Sequence, residues 1–160
     1  MGTKNQVQIR NAVRSDADAM MSLIKELALF EKAPEEVTVS MDHFVESGFG
    51  PEPVWWALVA VIPASEDQPE QIVGFALYYI RYSTWKGRRL YLEDLIVNEA
   101  WRGKGIGTLL MDALILEAKK NGTFSGMMWQ VLDWNEPAIR FYEKYGAQFD
   151  GSWINVSLTV

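Results

Sequence analysis

Apolar residues recur along the chain at two periods, and the switches between those periods outline its elements. Residues 7–13 alternate and read as a short strand. Beyond Arg14-Ser15-Asp16, Ser15 is placed to cap a helix and Asp18 to complete a capping box. Met20, Leu23, Ile24, Leu27 and Phe30 then fall three and four apart, which predicts a helix to about Glu31 with one face on a sheet. Pro34 bars its continuation, Ser40 is placed to cap a short helix over 41–46, and Ser47-Gly-Phe-Gly-Pro51 reads as a turn. Residues 54–62 and 72–82 read as strands joined by a polar hairpin loop at 63–71. The next strand is 90–97, the main helix 105–120 with Asn121-Gly122 ending it, and another buried strand 125–132. Asn135 is placed to cap a last helix with Pro137 in its first turn, ending near Tyr145 at Gly146. The remainder alternates enough for one or two closing strands, with Trp153, Val156, Leu158 and Val160 as candidate core residues. Strands interleaved with helices predict an α/β (α+β) fold.

Composition narrows this picture. A length of 160 residues, 49% of them hydrophobic, suits one domain, 1–160, with a substantial core. A net charge of -6 argues against a general nucleic-acid binder and is compatible with cationic small molecules or with ordinary solubility. The absence of cysteine removes disulfides, thiolate metal sites and a cysteine nucleophile, and His43, the one histidine, excludes a multi-histidine metal site. No metal is expected, and His43 reads as a surface or half-buried side chain. No apolar run approaches the roughly 20 residues of a membrane span, and residues 1–6 lack a signal-peptide core, so a cytoplasmic location without membrane association is expected. The glycosylation-like triplets at Asn121 and Asn155 then read as chance matches.

Chemistry concentrates at 90–107, where an apolar run meets a loop that opens through Gly103, Gly105 and Gly107 into the main helix. Backbone amides at such a turn, with the positive end of the helix dipole, make a seat for phosphate. The chain has no nucleoside-triphosphatase loop. Thr108 stands where the last glycine of a dinucleotide fingerprint belongs, and the turn follows four strands rather than opening the first βαβ unit.

What remains, Arg102-x-x-Gly105-x-Gly107, resembles the pyrophosphate signature of the GNAT acyltransferase superfamily. It is joined by Tyr91-Leu-Glu-Asp94, Asp133-Trp-Asn-Glu-Pro137, and Phe141-Tyr142 followed by Gly146-Ala147. Lys25-Glu-Leu-Ala, Gly48-Phe-Gly and Trp85-x-Gly87 extend the match over nearly the whole chain. These blocks look like the spermidine/spermine (diamine) N-acetyltransferase family, and Tyr82-Ser-Thr-Trp-Lys-Gly87 looks like its thialysine branch. The resemblance implies the GNAT fold, a mixed and mostly antiparallel sheet with a splayed parallel pair of strands, flanked by helices. It implies acetyl-CoA as cofactor and direct acetyl transfer to the primary amine of a small acceptor, a thialysine- or lysine-like amino acid or a diamine or polyamine, by a homodimer.

The site residues carried over fall into three groups. Glu93 is the expected base, acting directly or through water, and Tyr142 the acid that protonates the departing thiolate. Leu95, Ile96 and Val97 would bond the cofactor's pantetheine arm, with Asn135 as a further contact or simply a helix cap. Arg102, Gly103, Lys104, Gly105, Ile106, Gly107 and Thr108 would surround the pyrophosphate, with Lys104 at the rim or merely solvated. Phe30, Glu31, Ser83, Trp85, Glu93, Asp94, Met128, Trp129 and Gln130 would line the amine site. Ser83 stands where polyamine-preferring members carry an acid. Strand alternation expects Tyr91, Glu93 and Leu95 on one face and Asp94 on the other, keeping the two acids apart. An acyl-CoA-binding regulatory module without turnover, or an enzyme for peptide or protein amines, are the alternatives.

Overall fold

The strand-forming runs pair in chain order. In the computed structural model, which describes residues 6–160 except for the side chain of Asn121, four strands pair antiparallel with their neighbours. They are β1 (Gln8–Asn11), β2 (Trp56–Ile62), β3 (Gln71–Ser83) and β4 (Gly87–Val97), and β5 (Met127–Trp129) joins β4 in parallel. The sheet is therefore mixed and mostly antiparallel, with one parallel pair. The segment inspected for a signal core lies, apart from Gln6, outside the described residues.

Two compact units divide the chain, Met1–Trp129 and Gln130–Val160. In the first, α1 (Ala17–Phe30) and α2 (Met41–Phe49) cover one face of the sheet. Ala17, Met20, Met21 and Leu23 of α1 pack with Phe44 and Trp55 onto Ala57, Val59, Val61, Phe75, Leu77 and Ile96. The other long helix, α3 (Ile106–Lys119), lies across β1 to β4 and fully buries Leu110 and Leu114, each worth roughly 1.5–3 kcal/mol of transfer free energy. The second unit contains α4 (Glu136–Glu143), where Asn135 Oδ1 accepts from the Ala138 amide at 3.4 Å, the cap its sequence position predicts. Ser40 likewise caps α2 by accepting from the His43 amide at 3.2 Å, and His43 is exposed on that helix.

Three expectations are corrected. Ser15 makes no cap: a tight turn at Arg14–Asp16 precedes α1, and Asp16 holds the corner. The Asp16 carboxylate accepts from the Val13 amide at 2.8 Å and from both Arg10 guanidinium nitrogens at 2.7 and 3.0 Å. Burial pushes its pKa up, but these hydrogen bonds outweigh burial and hold it below the ordinary carboxylate value. The strand expected over 125–132 is only Met127–Trp129. The closing strands are absent: residues 147–160 have no regular structure, and Trp153, Val156, Leu158 and Val160 are exposed rather than core. Alternation defines a two-faced segment but not the neighbouring edge its ladder requires.

Candidate active site

The parallel pair is short, and its shortness opens the site. Leu90, Tyr91 and Leu92 pair with Met127, Met128 and Trp129, and there the ladder stops. β4 continues to Val97 with one edge bonded to β3 at Gly74–Leu77 and, among the described residues, no strand on the other. Leu95 and Val97 thus turn their peptide groups toward the open edge, where Val97 O already accepts from Arg102 Nε, while the expected Ile96 faces β3, because bonded residues alternate along an antiparallel strand.

After β4, Asn98 Oδ1 accepts from the Ala100 amide at 3.1 Å and starts a tight turn at Glu99–Trp101. Gly103 (φ 73°) and Gly105 (φ 80°) occupy the left-handed region that favours glycine. A Cβ at Gly103 would meet no atom within 4 Å, so the turn faces open space. α3 starts at Gly105 without a side-chain cap or an acidic residue in its first turn. Its first bond runs from the Leu109 amide to Gly105 O at 3.1 Å, leaving the amides of Ile106, Gly107 and Thr108 without intrahelical acceptors. An uncapped, electropositive and unobstructed helix start fits a pyrophosphate.

The cations of the turn are already engaged. Arg102 Nε donates to Val97 O at 3.0 Å, Nη2 lies 3.6 Å from Glu26 Oε1, and Cζ sits 5.3 Å from the centre of the Phe30 ring. Lys104 Nζ lies 4.6 Å over Trp101. Glu26 also accepts from Asn98 Nδ2 at 3.0 Å and the Glu99 amide at 2.7 Å, so α1 grips the corner that leads into the glycines. Sequence reading passed over Glu26, although it lies within the Lys25-Glu-Leu-Ala block.

On the α1 side of β4 a β-bulge rearranges the acids. Asp94 is opposite Leu77 but Leu92 is opposite Tyr78, so Glu93 is an extra residue in β4. Leu77 and Ile96 belong to the core under α1, which places Asp94 on that face. Tyr91, opposite Tyr79, lies on the same face, and the two rings stack at 4.9 Å. The expected separation of Glu93 from Asp94 is therefore corrected, because the inserted residue cancels the alternation. Burial pushes the half-buried Asp94 carboxyl up to about 7, helped by the negative charges of Glu93 and Glu31. Burial also raises Glu31, which ends α1 next to the exposed Phe30. Tyr91 and Tyr79 are raised by burial and then by Glu93.

The remaining site residues are dispersed. Ser83 Oγ accepts from the Trp85 and Lys86 amides at 3.2 and 3.1 Å and so closes the β3–β4 hairpin, with Trp85 88% exposed at its tip. Met128 and Trp129 lie on β5 opposite Tyr91 and Leu92. Gln130 opens the second unit and donates to Asn155 Oδ1 at 2.8 Å, and Tyr142 is buried on α4 of that unit.

A short parallel pair thus leaves an open strand edge that runs into an uncapped, glycine-rich helix start. The chain belongs to the acetyltransferase (GNAT) family, whose profile matches residues 19–147 and runs through both units. It is 43% identical over 143 residues to mouse (Mus musculus) thialysine N-epsilon-acetyltransferase, covering 88% of this chain and 84% of that protein. It is 34% identical over 141 residues to human (Homo sapiens) spermidine/spermine N(1)-acetyltransferase-like protein 1, covering 88% of this chain and 20% of that one. A solved structure described as a possible acetyltransferase from Clostridium difficile 630 superposes with a TM-score of 0.76 at 21% identity, covering 97% and 99% of the two chains. The protein is an N-acetyltransferase that uses acetyl-CoA.

Proposed function

We propose that the chain moves an acetyl group directly to the terminal primary amine of a small cationic acceptor, with thialysine- or lysine-like amino acids ahead of diamines and polyamines. The observation that carries this reading is the convergence of Glu31, Glu93 and Asp94, close enough for Glu93 and Glu31 to raise Asp94. Such a cluster attracts an ammonium, and an arriving cation relieves the repulsion among the carboxylates. The similarity to thialysine N-epsilon-acetyltransferase supports the same acceptor class.

Acetyl-CoA, when bound, supplies an acetyl thioester activated toward amines. Peptide groups of Leu95 and Val97 on the open edge of β4 hold its arm, and the amides of Gly103 to Thr108 hold its pyrophosphate. Arg102 shapes that turn more than it charges it, and Asn135 serves first as the cap of α4. An alkylammonium with a pKa near ~10.4 must lose a proton before it can attack. Glu93 takes that proton, directly or through water, while Asp94 and Glu31 hold the cation in place. A backbone amide of β4 near Leu95 polarises the acetyl carbonyl, and Tyr142 donates the proton that the departing thiolate needs.

The two units act as one catalytic domain in this reading. Trp153, Ile154, Val156 and Leu158, all at least 80% exposed, support a homodimer in which a second copy covers them. A cysteine-free chain suits the cytoplasm, and among the described residues no helix is long and apolar enough to cross a membrane. The test is steady-state acetylation of thialysine, lysine, putrescine and spermidine by wild type, Glu93→Gln and Tyr142→Phe. Wild-type turnover in both variants would overturn the assigned roles.

A further inference from the structure

The acid cluster is one end of a longer strip. On the same face of β3 and β4, Arg81 and Arg89 stand directly opposite each other, followed by the Tyr79–Tyr91 stack and then by Glu93 and Asp94. The strip thus changes from positive through aromatic to negative along β4.

The arginine end lacks an anion. Like charges directly opposed across two strands repel, and among the described residues neither arginine has a carboxylate partner. Arg81 Nη1 meets only the weak acceptor Met128 Sδ at 3.3 Å, and its guanidinium rests 5.8 Å from the Tyr91 ring centre. Arg89 Nη2 donates to Met127 O at 3.2 Å, while Nε is buried without a hydrogen-bond partner. Gly126 leaves room for this group, since a Cβ there would lie 3.2 Å from Nη2. A buried donor left unpaired costs about 1–3 kcal/mol, and Arg89 Nε has no acceptor among the described residues.

We propose that Arg81 and Arg89 form a carboxylate clamp that selects amino acids carrying a terminal amine over diamines. This rests on the acceptor reading above and names its substrate class. Guanidinium groups match a carboxylate in fork geometry. Arg81 leans on the Tyr91 ring, 5.8 Å from its centre, and Tyr91 stands two residues before Glu93 along β4, an interval of roughly 7 Å. An acceptor with lysine's four-carbon stem, or the thioether equivalent, spans that interval with its carboxylate on the arginines and its amine among the acids. A diamine puts a second ammonium against two guanidinium groups, so the clamp rejects as well as selects.

The test compares lysine with lysinamide, which lacks only the carboxylate charge, and with cadaverine, its decarboxylated counterpart. Acceptor kcat/KM is measured for wild type, Arg81→Gln and Arg81→Glu. Arg81 carries the decisive variants because it is exposed, whereas Arg89 is half-buried. Wild type should favour lysine over lysinamide by about tenfold, through KM rather than kcat. The ratio should fall toward one in Arg81→Gln, and Arg81→Glu should prefer cadaverine. A ratio near one in wild type, or one that neither substitution moves, overturns the clamp and leaves the amine-acetyltransferase reading standing. Failure to acetylate any of the three acceptors overturns that reading, and the clamp with it.

Discussion

The acids of β4 and the glycine turn after it lie within fifteen residues of one another, yet the two halves of the candidate site are built by opposite means. The glycine turn is a backbone device: Gly103 and Gly105 are left-handed, Gly103 faces open space, the first amides of α3 lack intrahelical acceptors, and the nearby cations Arg102 and Lys104 are tied to protein groups. The acid cluster is a side-chain device, with Glu31 from the end of α1 and Glu93 and Asp94 brought together by a bulge between two strands. A local backbone device keeps its meaning wherever its motif occurs. A side-chain cluster depends on register, where one inserted residue changes the face of everything beyond it.

Separating the halves by mutation tests this division. The largest effect is expected from Glu93→Gln, which should lower kcat by roughly a hundred- to ten-thousand-fold while CoA affinity, measured by calorimetry, stays put. Gly105→Val acts on the other half: a β-branched residue at φ 80° costs about 1–2 kcal/mol or more, so CoA should bind about tenfold more weakly. Loss of acceptor affinity without loss of CoA affinity in Gly105→Val would break the division. Glu26→Ala removes the acceptor of the Asn98 and Glu99 bonds and should raise the KM for acetyl-CoA several-fold, with Glu26→Gln recovering part of the loss.

The smallest effect concerns stability. Asp94 is raised in the folded protein from an ordinary 3.8 to about 7, so the fold holds this proton more tightly than the unfolded chain does. The associated stability is fully present below pH 4 and is lost as pH rises through about 7. Asp94→Asn should therefore melt higher than wild type at pH 8, and the gap should close toward pH 4. An equal gap at both pH values would contradict the buried, repelled state of Asp94.

The same contrast explains what could be read from residues alone. The strand, loop and helix around Gly103 to Gly107 were legible because glycine spacing, a helix start and an apolar run are all local. So were the Ser40 and Asn135 caps, each a single side chain bonding an amide three residues on. The proximity of Glu93 to Asp94 was not legible, since the bulge is a property of β3 and β4 together. Nor was the state of 147–160, where alternation shows an apolar face but not what covers it. Arg81 and Arg89 carried a faint signal: the Ser83–Gly87 turn sets the register that places them opposite each other.

The most direct measurement is the acceptor KM for thialysine between pH 5.5 and 8, in wild type and in Asp94→Asn. Alkylamines stay protonated over that range, so changes in KM report the protein's carboxylates. If the acids of β4 hold the amine, wild-type KM should fall as pH rises through about 7, where Asp94 ionises, and Asp94→Asn should show no such fall. An identical fall in both proteins would contradict the placement of the amine at this cluster.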